Sequence, residues 1–138
     1  RSNRVEYGRY LATLGGCVWC HTPVNAQGRT IPEMALAGGH VLPMTGGIVR
    51  SANISPDPET GIGRWSRETF IARFRAYLGP DAQTLPLGAN GFNTLMSWTQ
   101  FAGMTDEDLA AIYDFLMQSR PIGNAVTVWE ATAASSNT

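Results

Sequence analysis

Both cysteines of this 138-residue chain fall within five positions, Cys17-Val-Trp-Cys-His21. That spacing constrains the fold more than any other feature, because it fits the Cys-x-x-Cys-His pattern of covalent haem attachment. Two thiols three residues apart can reach the two vinyl groups on one edge of a porphyrin, and the next residue can turn its imidazole under the iron. Cys17 and Cys20 are thus expected to carry one covalent haem c, with His21 as an axial iron ligand. Both cysteines are consumed, so no orphan thiol is left. Three other readings use the same residues. A thioredoxin-like redox pair calls for a strand-to-helix junction in a βαβ pattern, which the sequence does not display. A zinc site needs four ligands, and Cys17, Cys20, His21 and His40 do not have finger or ribbon spacing. A disulfide between Cys17 and Cys20 is the plainest possibility. Haem is favoured over all three.

The length suits one domain, expected over residues 1–130, with a small polar tail or linker remnant over 131–138. Ten Lys and Arg against eleven Asp and Glu leave a net charge of −1. This argues against nucleic acid as a partner, which requires a basic surface, and gives no large monopole for steering. The apolar share of 43% suits a packed core, while 15 Gly and 8 Pro point to long loops between few regular elements. No apolar run approaches the roughly 20 residues of a membrane span. The start at Arg1, without Met or leader, reads as a processed or excised boundary.

Three helices are expected. The first covers 3–14, with Val5, Tyr7, Leu11 and Leu14 on its apolar face, and stops at Gly15-Gly16. The second covers 67–78, capped by Ser66, burying Phe70, Ile71, Phe74, Tyr77 and Leu78, and ended by Gly79-Pro80. The third starts at the cap Thr105, with Asp106, Glu107 and Asp108 favourable to its dipole. Its stripe is Leu109, Ile112, Tyr113 and Leu116, widened by Phe115, with Met104 stapling onto Leu109 and Pro121 beyond the end. Residues 22–64 and 79–103 show no convincing strand alternation. Such long bare loops make sense if they wrap something other than protein. The expected class is all-α.

A six-coordinate iron needs a ligand opposite His21. The candidates are His40 and the methionines 34, 44, 96, 104 and 117. Met104 and Met117 have helix-packing explanations, and Met34 and Met44 follow His21 closely, in a loop suited to the same face. Met96, beside Ser97-Trp98 in the second long loop, is preferred, followed by Met104 and then His40.

With these residues assembled, the chain resembles class I c-type cytochromes, and more narrowly the cytochrome c domains of bacterial membrane-associated dehydrogenases such as quinoprotein alcohol dehydrogenases. The matching stretches are Gly8-Arg-Tyr-Leu11, Cys17 through Pro23, Ala52-Asn-Ile-Ser-Pro-Asp-Pro-Glu-Thr-Gly-Ile-Gly-Arg-Trp65, and Met96-Ser-Trp-Thr-Gln-Phe-Ala-Gly-Met-Thr-Asp-Glu-Asp-Leu109. The resemblance implies three main helices around one haem, with Met96 as distal ligand. Ser97 stands where the family usually has Pro, which leaves the ligand loop less constrained. It also implies that Asn53, Ile54 and Trp65 lie near the haem. The Trp65 indole then serves as a propionate donor, a core aromatic, or both. The first and third helices should cross, Gly8 and Leu11 meeting Ile112, Tyr113 and Leu116. The Pro32 carbonyl is a candidate acceptor for the His21 ring N–H. The dehydrogenase subunits usually carry several haem domains, whereas this chain has one attachment motif.

The implied function is one-electron transfer between a dehydrogenase donor and an oxidase or other cytochrome acceptor, without substrate chemistry in this chain. Trp19 would flank the haem edge where a partner docks, or simply pack. The alternative is a haem-based gas sensor or small peroxidase with a labile distal Met, and the relaxed Ser97 loop is its only hint. Covalent haem attachment implies a periplasmic or other extracytoplasmic, membrane-facing location.

Overall fold

A computed structural model describes residues 2–44, 46–78, 96 and 98–131. In chain order its elements are α1 (Ser2–Leu14), α2 (Cys17–Cys20), a 3-10 turn (Pro32–Met34), β1 (Val41–Met44), β2 (Gly47–Arg50), α3 (Arg67–Arg75), α4 (Trp98–Phe101), α5 (Asp106–Gln118) and β3 (Trp129–Ala131).

The helix starts follow local chemistry. Ser66 adopts extended backbone, and its hydroxyl accepts from Thr69 N at 3.0 Å. Thr105 does the same for Asp108 N at 3.1 Å, satisfying an amide the helix itself leaves unpaired. Three carboxylates in the first turn of α5 complement its dipole. Helix α3 ends at Arg75, earlier than the periodicity suggests. Tyr77 and Leu78 instead continue in tighter i→i+3 bonds to Phe74 and Arg75. This frees the Tyr77 ring to stack on Trp98 (4.9 Å, 13° between planes), while Leu78 is exposed. Gly79-Pro80, the expected helix stop, lies outside the described residues.

Helices α1 and α5 pack across each other as expected, but through smaller residues. An added Cβ on Gly8 would run into the Ala111 carbonyl and lie 3.0 Å from Phe115 Cβ. The buried stripe of α1 is therefore Gly8 and Ala12, with Leu11 partly covered. Tyr7 and Leu14, expected on the apolar face, are exposed. The Tyr7 hydroxyl instead donates to Asp108 Oδ1 at 2.7 Å, joining α1 to the start of α5. Asp114 on α5 ties the three long helices together, accepting from Arg4 of α1 at 3.0 Å and Arg67 of α3 at 2.8 Å.

The core brings together Ala12, Leu36, Ile62, Phe70, Phe74, Leu109, Ile112 and Leu116. Leu36 and Ile62 come from the long loop between α2 and α3, so that loop supplies core as well as cover. Part of it is β-structure, which corrects the all-α expectation. Strands β1 and β2 form an antiparallel hairpin through Gly46 (φ +86°), and β3 joins the other side of β2. Gly47 leaves room for the Trp129 ring, and Arg50 bridges to Glu130 at 2.8 Å. Ala131, where a tail was expected to begin, pairs with Gly47, and residues 132–138 lie outside the described residues. No helix among the described residues is long and apolar enough to cross a membrane.

Candidate haem-attachment site

The motif sits on the turn that follows α1. Gly16, in the left-handed region (φ +77°), redirects the chain, and Cys20 N and His21 N then bond back to Gly16 O and Cys17 O at 2.8 and 2.9 Å. This single helical turn puts Cys17 and Cys20, at i and i+3, on one face. Both thiols are free and part-buried. Burial pushes the Cys17 thiol up to about 11 and raises that of Cys20 as well. A reactive redox dithiol is favoured by the opposite shift, toward a thiolate near neutral pH. The zinc reading fails too. Among the described residues no three His, Cys, Asp or Glu side chains are grouped to hold a metal ion. His40 is engaged elsewhere, its Nδ1 3.3 Å from Thr22 O and its ring 4.9 Å from that of Trp19.

His21 Nδ1 lies 2.7 Å from the Ala52 carbonyl oxygen. A carbonyl can only accept, so Nδ1 carries the proton and Nε2 presents its lone pair. Burial lowers the His21 pKa, against the raising effect of the Ala52 bond, which favours the neutral form a metal ligand needs. Because no three His, Cys, Asp or Glu side chains among the described residues group there, a metal held at His21 would need most of its donors from a tetrapyrrole. Two unpaired thiols beside the imidazole match that group's attachment chemistry. The residues present fit haem c.

The acceptor differs from the sequence expectation. The Pro32 carbonyl begins the 3-10 turn and accepts from Ala35 N at 3.2 Å, and Ala52, thirty-one residues beyond His21, takes its place. The approach depends on Gly38, whose N–H donates to His21 O at 2.7 Å. With φ +76°, Gly38 sits so tightly on the next loop that an added Cβ would lie 2.5 Å from the Ala52 carbonyl carbon and oxygen. Thr22 completes this side, accepting from Leu36 N at 3.1 Å while donating to Val18 O. Neither Gly38 nor Ala52 was among the expected site residues. The only sequence signal is the Gly38-Gly39 pair in a loop otherwise able to run extended.

Of the remaining expected residues, Ile54, Trp65 and Met96 are part-buried and pack on the same core cluster as Cys17 and Val18. The Trp65 carbonyl accepts from Tyr113 Oη at 2.6 Å, and the Arg73 guanidinium lies 5.8 Å from the Trp65 ring centroid and 6.0 Å from that of Trp98. Met96 lies two residues before the start of α4, its carbonyl accepting from Trp98 N at 2.8 Å. The turn after α4 is held by Arg75, which donates to the Ala102 carbonyl, to Met104 O at 2.7 Å and to Asp106 Oδ1 at 2.6 Å. Ser97 lies outside the described residues. Asn53 is buried and its amide is fully engaged by protein, with Nδ2 donating to Ile122 O at 2.8 Å and Oδ1 accepting from Ser55 N at 3.0 Å.

This motif beside the crossing of α1 and α5 is the arrangement that fits covalent haem attachment. The comparisons with known proteins narrow the reading. No family model matches the chain. The alcohol dehydrogenase (quinone) cytochrome c subunit of Gluconobacter oxydans is 33% identical over 113 residues, 82% of this chain and 21% of that protein. The gluconate 2-dehydrogenase cytochrome c subunit of Pantoea cypripedii is 32% identical over 122 residues, 88% of this chain and 24% of that protein. A nicotinate dehydrogenase subunit from Pseudomonas putida is 35% identical over 118 residues, 86% of this chain. The chain spans only 9% of that last protein's length, and about a fifth to a quarter of the other two. The chain is homologous to the cytochrome c subunits of bacterial dehydrogenases.

Proposed function

We propose that this chain holds one haem c through Cys17 and Cys20, with His21 Nε2 and Met96 Sδ as axial ligands, and passes single electrons from a dehydrogenase to a respiratory acceptor outside the cytoplasm. The observation that carries the reading is the bond from His21 Nδ1 to Ala52 O, which leaves Nε2 as the one basic ring atom beside two free thiols. When bound, haem supplies a reversible one-electron iron couple.

The protein's part is to hold that group still. Cys17 and Cys20 anchor it at one edge, and the Ala52 carbonyl fixes the imidazole tautomer and orientation. Met96 is supported as the second ligand by its place on the same apolar cluster as Cys17, next to α4, whose C-terminal turn Arg75 braces. A thioether opposite imidazole favours the reduced state and raises the potential. Ile54 and Trp65 would cover the haem from the same cluster, while Asn53 would act through the loop it anchors. The relatives are named as subunits of alcohol, gluconate and fructose dehydrogenases, which supports a dehydrogenase as donor. Haem is attached covalently outside the cytoplasm, which supports an extracytoplasmic site.

Met96→Ala tests the ligand set. The variant is expected to lose the far-red absorption band of the Met–ferric pair, to lower the midpoint potential, and to bind carbon monoxide rapidly when reduced, whereas the unaltered protein does not. A persistent band in the variant would remove Met96 from the iron. Rapid carbon monoxide binding by the unaltered protein would instead favour a ligand-binding role.

A further inference from the structure

The segment after α5 has no role in the electron-transfer reading, yet its polar contacts converge on the loop that carries Ala52. Asn53 Nδ2 faces Ile122 O at 2.8 Å, Thr60 Oγ1 at 3.1 Å and Asn124 O at 3.2 Å. Ser55 Oγ accepts from Ile122 N at 3.1 Å, and Thr60 Oγ1 accepts from Asn124 N at 2.9 Å. Asn124 then reaches the opposite side of the same feature, its Nδ2 donating to Ala37 O at 2.9 Å. Ala37 precedes Gly38, the residue wedged between His21 O and the Ala52 carbonyl.

Asn124 therefore bonds through its backbone to the strand of chain after Ala52 and through its side chain to the strand before Gly38. Together with Asn53 it clamps the two loops whose contact presents the Ala52 oxygen to His21. Asn53 is 5% exposed, so its amide does not exchange these partners freely for water.

We infer that Asn53 and Asn124 are positioning residues for the axial imidazole, through which the segment after α5 tunes the reduction potential. This rests on His21 being an iron ligand. A firm Nδ1–H···O=C bond makes the imidazole a stronger donor and stabilises the ferric state, and loosening the clamp weakens that bond. The effect is electronic, so it is separable from stability.

Asn124→Asp keeps the shape but replaces the donor that faces Ala37 O with a carboxylate, and Asn124→Ala removes the group outright. Either haem-loaded variant, compared with the unaltered protein, is expected to keep its haem and low-spin spectrum. Its His21 Nδ1–H, followed by NMR in the ferrous protein, should exchange with solvent at least tenfold faster. The ferric–ferrous equilibrium should shift toward ferrous by up to tenfold, about 59 mV for one electron. Arg50→Gln serves as the control, because it loosens the same segment by cutting the Glu130 bridge and the bond to Thr127 O while leaving the Asn53 and Asn124 side chains in place. Unchanged exchange and potential in both Asn124 variants would overturn the inference. So would an equal shift in Arg50→Gln. An unaltered protein without a His-ligated low-spin haem would instead overturn the ligand reading beneath it.

Discussion

When Cys17 and Cys20 are both replaced by alanine, haem is expected to leave the chain completely on denaturation. Each single replacement should keep haem on the denatured chain through the remaining thioether. The contrast follows from the local geometry. One helical turn holds both sulfurs on the same face, and His21, bonded to Cys17 O, is the next residue along. In the native fold the double variant still has the imidazole and the apolar cluster of Ile54, Trp65 and Met96 to grip the group. Denaturation removes both, so only covalent bonds survive it. Haem staining of a denaturing gel reads the result directly. A redox-dithiol protein would give no haem signal even before substitution, and its unaltered form would titrate two thiols per chain.

Gly38→Ala is expected to be strongly destabilising for a single added methyl group. A side chain at φ +76° costs about 1–2 kcal/mol by itself. The added Cβ also meets backbone 2.5 Å away at Ala52 and 2.6 Å away at Asn53 N, and backbone cannot rotate aside as a flexible side chain can. The loops must separate, which opens the His21–Ala52 bond and the bond from Gly38 N to His21 O. A total loss of about 3 kcal/mol or more follows, lowering the melting temperature on the order of 10 °C. Calorimetry of the haem-loaded variant measures it. Gly28→Ala is the comparison, since Gly28 has the same φ of +77° with nothing within 4 Å of an added Cβ. Equal losses at the two positions would show that backbone conformation, and not the Ala52 contact, sets the cost.

What could be read in advance divides along the range of the interactions. The caps Ser66 and Thr105 and the turn at Cys17–Cys20 depend on residues a few positions apart and are present, whereas the α1–α5 crossing is implied by the resemblance and not by local pattern. The small sheet escapes such reading because its signal is weak and non-local. Strands β1 and β2 are four residues each, β1 contains Pro43, and β3 comes from about eighty residues later. The buried face of α1 differs for another reason. Hydrophobic size points to Tyr7 and Leu14, but close approach to the Ala111 backbone selects Gly8 and Ala12. At the site, the motif points to Cys17, Cys20 and His21 as the candidate residues. The Ala52 acceptor was hidden because a backbone carbonyl carries no residue-type signature, and loop 22–64 had to fold before Ala52 displaced Pro32.

The most direct test of the central claim is the intact mass of this chain under denaturing conditions with thiols blocked. One covalent haem predicts the sequence mass plus one haem and no blocked thiol. A bare chain with two blocked thiols, or with a disulfide in their place, would contradict it.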